Sequence, residues 1–213
     1  MTEQSDRLWK LTAEKRAQLL DPATAEFIKH GYEGASLNRI LSNAKMSKGQ
    51  AYYYITGKSD LYLAVCTQSF SDILHDARSK ADLLAASDDF WIGVEALAGE
   101  LAQQFATDKG LSALALSVYE SASAVESLSP LTARVDEIID HIIRVGQNAG
   151  QIRTDLPDNL VREMLKALAR SIDRWFAFNA SSLSPQEFAD ASRVTFEMIQ
   201  NFVKTTENGG RNA

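Results

Sequence analysis

Long stretches of this 213-residue chain contain neither glycine nor proline, and that absence limits the fold more than any other feature of the sequence. The chain has four prolines and eleven glycines, and residues 58–92 and 158–184 lack both. Turns between strands rely on these residues, whereas Ala and Leu, which are abundant here, favour helices. The sequence therefore predicts an all-α protein of about nine helices.

Capping residues and apolar spacing set the expected bounds of these helices. Ser36, Ser47, Ser59 and Ser184 stand at expected N-caps, and Pro185 takes a first helical position. Helices are expected over residues 12–30, 37–44, 47–54, 59–80, 88–106, 110–123 (as one helix or two), 130–148, 159–180 and 186–204. The polar tail of residues 205–213 is expected to be disordered.

Pro22 complicates the first of these helices. A proline in a helix interior removes one hydrogen bond and kinks the axis. Alternatively, Asp21 caps a new helix that has Pro22 in its first turn. We expect a helix that is bent or interrupted at this point, followed by a stop at Gly31.

The expected cellular compartment is inferred from features that the sequence lacks. Cys66 is the single cysteine, so no internal disulfide can form, and nothing indicates an oxidising environment. The first ten residues, MTEQSDRLWK, contain no apolar signal core. No segment reaches the roughly 18 uninterrupted apolar residues of a membrane span. We expect a cytoplasmic protein.

Charge is distributed unevenly along a chain whose net charge is −6. Residues 1–58 carry nine Lys/Arg and six Asp/Glu, and the remaining residues carry thirteen and twenty-two. Between Gly34 and Ser59 there is no acidic residue, although one arginine and three lysines lie there. A basic segment on an acidic protein is compatible with nucleic-acid binding, but by itself the asymmetry is a weak signal.

The segment SKGQAYYYITGKSD, residues 47–60, gives that basic charge a context. Two short helices joined by a tight turn indicate a helix-turn-helix, whose second helix enters the major groove. Neighbouring helical residues point about 100° apart. If Tyr53 anchors the short helix to the core, Tyr52 and Tyr54 remain near the surface, where their hydroxyls can reach phosphates.

Three other residues of this segment fit the same interpretation. Lys48 and Gln50 lie at the start of the helix, where base contacts are made, and Gly49 permits close approach of the backbone to DNA. Lys58 begins the next helix, beside free N–H groups that can hold a phosphate. The alternative is that the tyrosines pack a loop and the lysines are only solvated.

Residues 19–65 resemble the TetR family of bacterial transcriptional regulators. The features that match are Phe27, the Gly31-Tyr32 turn, the capping Ser36, the SKG and YY of residues 47–53, Lys58, and LYLAV at 61–65. The sequence departs from the usual family pattern at five positions. These are Pro22 for alanine, Lys45 for glycine, Gln50 for threonine, Ala51 for leucine and Ile55 for phenylalanine.

The resemblance implies a homodimeric repressor or activator. Residues 1–58 would form a three-helix domain that binds a palindromic operator, and residues 59–213 a helical bundle that binds a small molecule and dimerises. No catalytic residue, metal or cofactor is expected. The predicted DNA contacts are Ser36, Asn38, Arg39, Lys48, Gly49, Gln50, Tyr52, Tyr54 and Lys58.

The last two helices are the candidate dimer interface, through residues 159–204. Each carries a broad apolar stripe, and four such helices can pack between two subunits. Opposite the first stripe, Arg162, Lys166, Arg170 and Arg174 recur at steps of four. This basic row is interpreted as a solvated face, with an anionic ligand as the alternative.

Small-molecule and metal sites are harder to locate in the sequence. Candidate effector-lining residues are Phe105, Tyr119, His141, Trp175 and Phe176, because pockets are mostly apolar with few polar groups. The histidines with acidic neighbours, His75 and His141, lack the paired motifs of a di-iron bundle.

A helical enzyme or metal-binding bundle remains the rival hypothesis for function. A partner protein that has lost its DNA activity is the third. Retention on heparin at low salt would favour DNA binding over the enzyme.

Overall fold

The computed structural model describes residues 3–86, 89–119, 122–179 and 182–204. Eleven α-helices lie within these residues: α1 Glu3–Trp9, α2 Ala13–Gly34, α3 Leu37–Asn43, α4 Lys48–Tyr52, α5 Lys58–Leu83, α6 Phe90–Thr107, α7 Lys109–Ser117, α8 Ala122–Ser127, α9 Ser129–Asn148, α10 Asp158–Asn179 and α11 Pro185–Val203. A 3₁₀ turn, Leu84–Ala86, follows α5. The all-α prediction is confirmed, and the predicted tail of residues 205–213 lies outside the described residues.

The chain divides into two compact units. The first contains residues 1–72 and 105–133, and the second contains residues 73–104 and 134–213. The first unit therefore holds α7 and α8 together with α1–α4. The functional boundary that we predicted at residue 58 is a different division, and it stays a prediction.

Helix α2 continues through Pro22, so an interruption there is wrong, and the alternative of a bend at this residue stays a prediction. The dihedral angles leave the helical region at Gly31 instead, with φ 62° and ψ −179°. That combination is essentially restricted to glycine, which explains why the chain can turn at this point. Helix α1 is a second difference, because no helix was predicted before residue 12. Leu8, on α1, is fully buried.

An aromatic cluster fills the interior of the first unit. The ring of Tyr62 lies 4.9 Å from the rings of both Phe27 and Tyr32, centroid to centroid. The Tyr62 hydroxyl and Ser117 Oγ, both buried, are 2.7 Å apart. Because a buried hydroxyl needs a partner, this bond fixes α7 against α5. Cys66, also buried in this unit, has its thiol pKa raised by burial to about 12.

The second unit has its own apolar core. It is formed by buried residues of α6, α9, α10 and α11 and of the segments beside them: Leu84, Phe90, Trp91, Ile143, Val145, Ile152, Val161, Leu165 and Val203. An isolated antiparallel bridge joins Ile152 to Lys204, so the connection between α9 and α10 is held against the end of α11. No helix of the described residues is long and apolar enough to span a membrane.

Candidate nucleic-acid interface

Two short helices, α3 and α4, are joined by a turn of four residues. Ser36 caps α3 through its side chain, which accepts from the backbone N–H of Arg39. The Met46 N–H donates to Leu41 O at 3.0 Å and closes the turn. Lys45 occupies the left-handed region with φ 53°. This region favours glycine, so the lysine at this position carries backbone strain that the usual glycine would avoid.

A capping box fixes the start of α4. Ser47 Oγ accepts from the Gln50 N–H at 3.2 Å, and Gln50 Oε1 accepts from the Ser47 N–H at 2.8 Å. The backbone N–H groups of Ser47 and Gln50, at the start of this one-turn helix, are thereby satisfied. Gln50 was predicted to face base edges, and the structure shows that its carbonyl oxygen already serves the cap. Its amide –NH₂ donates in neither of these two bonds, and the base contact predicted for Gln50 stays a prediction.

Glu26 on α2 organises the start of α3. Its carboxylate is 7% exposed and accepts from the Ser36 N–H at 2.8 Å and from Arg39 Nε at 2.8 Å. Arg39 Nη2 also donates to Gly34 O at 3.0 Å. The hydrogen bond from Arg39 lowers the pKa of Glu26 despite the opposing effect of burial. Arg39, a predicted DNA contact, therefore holds α2 and α3 together.

Glu26 was missed by the sequence reasoning. The signal was present, because the acid lies between Ala23 and Phe27 on the buried face of α2. A charge on an apolar face needs a partner. The sequence could not identify that partner as Arg39, which lies on another helix.

Lys58 closes the end of α2 from the first turn of α5. Its Nζ donates to Tyr32 O at 2.7 Å and to Glu33 O at 3.2 Å. The same ammonium lies 4.6 Å from the centroid of the Tyr32 ring. An ammonium has three donors, so one donor remains after these two bonds. Lys58 thus has a structural role in addition to the predicted phosphate contact, which the structure does not test.

The three consecutive tyrosines are placed differently from the prediction. Tyr53 is 54% exposed, so its assignment to the core is wrong. Ala51 and Ile55 are the buried residues of this segment. Because α4 ends at Tyr52, Tyr53 is a C-cap whose ring lies beneath the guanidinium of Arg7 at 4.6 Å. This contact depends on α1, which the sequence reasoning did not anticipate.

The remaining predicted contacts lie on the surface. Asn38, Lys48, Gly49 and Tyr52 are exposed, and Tyr54 is half-buried with its ring 5.0 Å from that of Tyr53. A Cβ built on Gly49 would meet nothing within 4 Å. The fold itself therefore does not require glycine there, and the open space is available to a close partner.

The candidate effector residues fall in both units. In the first, the ring of Phe105 lies 6.1 Å from that of Phe70, and Tyr119 is half-buried. In the second, His141 Nε2 lies 2.8 Å from Asp82 Oδ1. Trp175 and Phe176 pack edge to face, with centroids 5.1 Å apart. None of these positions by itself identifies an effector site.

Trp91, in the core of the second unit, was not among those candidates. It is 8% exposed, and its indole N–H has no hydrogen-bond partner among the described residues. Buried indole donors normally find a partner.

No cluster of His, Cys, Asp or Glu in the described chain could hold a metal ion.

The basic row on α10 is engaged by acids of α9. Lys166 Nζ lies 2.8 Å from Asp140 Oδ2, and Arg162 lies 3.5 Å from the same carboxylate. Arg170 pairs with Asp136 at 3.1 Å. The row was interpreted as a solvated face, and the structure shows three of its four cations in ion pairs between helices.

Known proteins resemble this chain in sequence and in fold. Residues 19–65 match the family model described as "Bacterial regulatory proteins, tetR family". The HTH-type transcriptional repressor Rv1474c of Mycobacterium tuberculosis is 25% identical over 199 residues, which are 90% of this chain and 94% of that protein.

Two solved structures are similar in fold. A putative TetR-family regulator from Mesorhizobium loti has a TM-score of 0.66 and 22% identity, covering 96% of this chain and 100% of that one. FadR from Bacillus subtilis, solved in complex with stearoyl-CoA, has a TM-score of 0.68 and 15% identity, covering 87% and 98%. At these identities the likeness shows the fold alone.

Proposed function

Because the chain belongs to the TetR family of transcriptional regulators, we propose that it is a homodimeric repressor released from a palindromic operator by a small-molecule effector. Regulation of transcription, rather than catalysis, is the function of this family. The observation that carries the proposal is the surface of α4. Lys48, Gly49 and Gln50 lie exposed at its start, where a recognition helix contacts base edges.

Electrostatics support the same surface. The acid that contacts the start of α3, Glu26, is neutralised by Arg39 at 2.6 Å. Lys48 makes no hydrogen bond or ion pair with any described residue. An unneutralised cation beside an open glycine is what a major-groove contact requires.

The test of DNA binding is selection of bound fragments from the source genome. We expect enrichment of an inverted repeat, whose half-site centres lie about one helical turn apart or a multiple of it. Fluorescence anisotropy on the selected fragment and on a scrambled one should show a preference of at least about 10³-fold. Equal affinity for both fragments would contradict sequence-specific regulation.

The proposed dimer interface lies on α10 and α11. Leu160, Met164, Trp175, Phe178, Val194 and Met198 are large apolar residues that stand exposed there. Apolar surface of this extent on paired helices is typical of a subunit interface. Phe202 packs against the core of the second unit, so a charge at Phe202 would unfold the chain. Met198, which is 61% exposed, is the better test position.

We expect the wild type to have twice the mass of the 23.5 kDa chain by light scattering at micromolar concentration. Met198→Glu should give monomers that retain the helical content of the wild type and lose operator affinity. The matched control is Ile92→Glu, an exposed apolar residue on α6 outside the proposed interface. A dimeric Met198→Glu protein would place the interface elsewhere.

The proposed effector is an apolar molecule that carries a hydrogen-bond acceptor and binds in the second unit. The unpartnered indole N–H of Trp91 supports this class, because an acceptor opposite it would remove an unsatisfied buried donor. A Trp9→Phe/Trp175→Phe variant leaves Trp91 as the single tryptophan, whose emission can be excited selectively in a ligand screen. If binding and DNA affinity are coupled, operator DNA must change ligand affinity by the same factor. A ligand that changes Trp91 emission but not operator affinity is not the effector.

A further inference from the structure

We infer that a groove beside the recognition helix holds a backbone phosphate of the bound DNA through Lys15 and Lys45, neither of which is among the contacts named so far. Its walls come from the first turns of α2, from the turn before α4 and from α4 itself. We call it the basic groove; it is lined by Lys15, Gln18, Lys45, Gln50, Tyr53 and Tyr54, among others. The inference rests on the proposed function, because it adds contacts to the same DNA surface.

The charge of the basic groove is one-sided. Lys15 on α2 and Lys45 in the turn before α4 both line it, and no acidic residue does so among the described residues. Neither ammonium group has a hydrogen bond or an ion pair with a described residue. Two exposed cations on one concave surface attract an anion, and with DNA this attraction takes the form of phosphate neutralisation.

The walls of the basic groove are held in place. The Gln18 side-chain amide donates to Ala44 O at 3.0 Å, which ties α2 to the turn that carries Lys45. Gln50 is fixed by the capping box. Gly49 and Gln50 line the groove and also belong to the exposed start of α4. A duplex read by α4 would therefore pass directly over the basic groove.

The backbone conformation of Lys45 supports a role for its charge. At φ 53° a lysine is less stable than a glycine, because its Cβ crowds the following carbonyl oxygen. The fold gains nothing from a side chain at this position. What lysine adds there is a long, flexible cation beside the recognition helix.

The experiment is a salt titration of DNA binding by the full-length dimer and its variants. Lys15→Ala and Lys45→Gly should each lower the slope of log affinity against log salt. Because each of the dimer's two grooves holds one phosphate, the loss in either variant or in both combined should not exceed about 2, at roughly 0.9 per phosphate. The loss should be equal on operator and scrambled DNA, because phosphates carry no sequence information. Lys45→Gly should lose affinity while its Tm stays the same or rises, which separates the charge from stability.

Two matched variants control for the change of net charge. Lys29→Ala removes an exposed lysine of α2 that does not line the basic groove, and it should retain the wild-type slope. Lys45→Arg keeps the charge and should retain most of the slope. If Lys45→Arg loses as much as Lys45→Gly, the charge of residue 45 is not what binds, and the inference is overturned.

The remaining outcomes separate this inference from the proposed function. Unchanged slopes in Lys15→Ala and Lys45→Gly, with specific operator binding intact in the wild type, would overturn the basic groove alone. Failure of the wild type to prefer any genomic fragment would overturn the proposed function. The wild type could also bind inorganic phosphate saturably, with this binding lost in both variants while their DNA slopes are unchanged. That outcome would show that the basic groove binds a free anion rather than the DNA backbone.

Discussion

Two groups of cations in this chain look alike in the sequence and differ in the structure. The first comprises Lys15, Lys45 and Lys48, on and beside the helix-turn-helix. The second is the row on α10, in which Lys166 and its neighbours reach acids on α9. None of the first three has a partner among the described residues. We therefore expect that the pairing of the cations, rather than their number, distinguishes the proposed nucleic-acid surface from the structural ion pairs of α10.

The largest expected effect contrasts one lysine from each group. Lys48→Ala should weaken operator binding by about 1–3 kcal/mol per half-site, if Lys48 contacts a base edge, and leave the free energy of unfolding unchanged. Lys166→Ala should leave operator affinity unchanged and lower the free energy of unfolding, because Asp140 loses its nearer partner. Anisotropy titrations and urea unfolding of both variants measure these quantities. Loss of operator affinity in Lys166→Ala would break the comparison.

The local features of this contrast were predictable, and the pairing was not. Ser36, Ser47 and Ser184 were identified as caps because an N-cap depends on residues two or three positions away. The acid that pairs with Lys166 lies 26 positions earlier on another helix, and no local pattern reports it. The sequence therefore predicted most of the helices, though not α1, and it did not predict which cations are neutralised.

Tyr53 shows the same limit at a single residue. Its assignment to the core assumed that α4 continues to residue 54, whereas the helix ends at Tyr52. In so short a helix the periodicity covers little more than one turn, so it cannot decide which side chain faces inward. Ala51 and Ile55 make the contact with the core instead.

The next effect concerns Arg39, a cation of the helix-turn-helix that is paired. Glu26→Gln should lower the free energy of unfolding at neutral pH by about 1.5–3 kcal/mol, the range for hydrogen bonds to charged groups. Glu26 has a lower pKa in the folded chain than its ordinary 4.5. Its charge therefore stabilises the fold above the unfolded pKa, and this stabilisation is lost as the pH falls through the folded pKa.

Urea unfolding across about pH 3 to 7 tests the assignment to Glu26. The difference between wild type and Glu26→Gln should be largest at neutral pH and should shrink toward the acid end. A difference that is constant with pH would show that the carboxylate charge does not matter. Glu14→Gln, an exposed acid in the first turn of α2, is the matched control and should change little.

Lys58 stands between the two groups, since it is partly used by the fold. Lys58→Ala should lower the free energy of unfolding by about 1–2 kcal/mol, because the bonds to Tyr32 O and Glu33 O are lost. If the third donor of its ammonium reaches a phosphate, the salt slope should also fall by about 2. A variant with lower stability and the full wild-type slope would show that Lys58 has a structural role only.

The smallest expected effect is the slow reaction of the buried Cys66 thiol. The rate of this reaction reports in which of the two units a substitution lowers stability. Burial raises the pKa of this thiol to about 12, so the reactive thiolate is scarce at neutral pH. A thiol reagent such as DTNB should therefore modify the native chain only through opening of the first unit. Glu26→Gln and Lys58→Ala, whose lost bonds lie in that unit, should raise the logarithm of the modification rate in proportion to their loss of stability. Lys166→Ala, whose lost ion pair lies in the second unit, should raise the modification rate less at an equal loss of stability.

If all three variants react at equal rates for an equal loss of stability, the chain opens as a whole. Rapid modification of the native wild type would contradict the burial of Cys66.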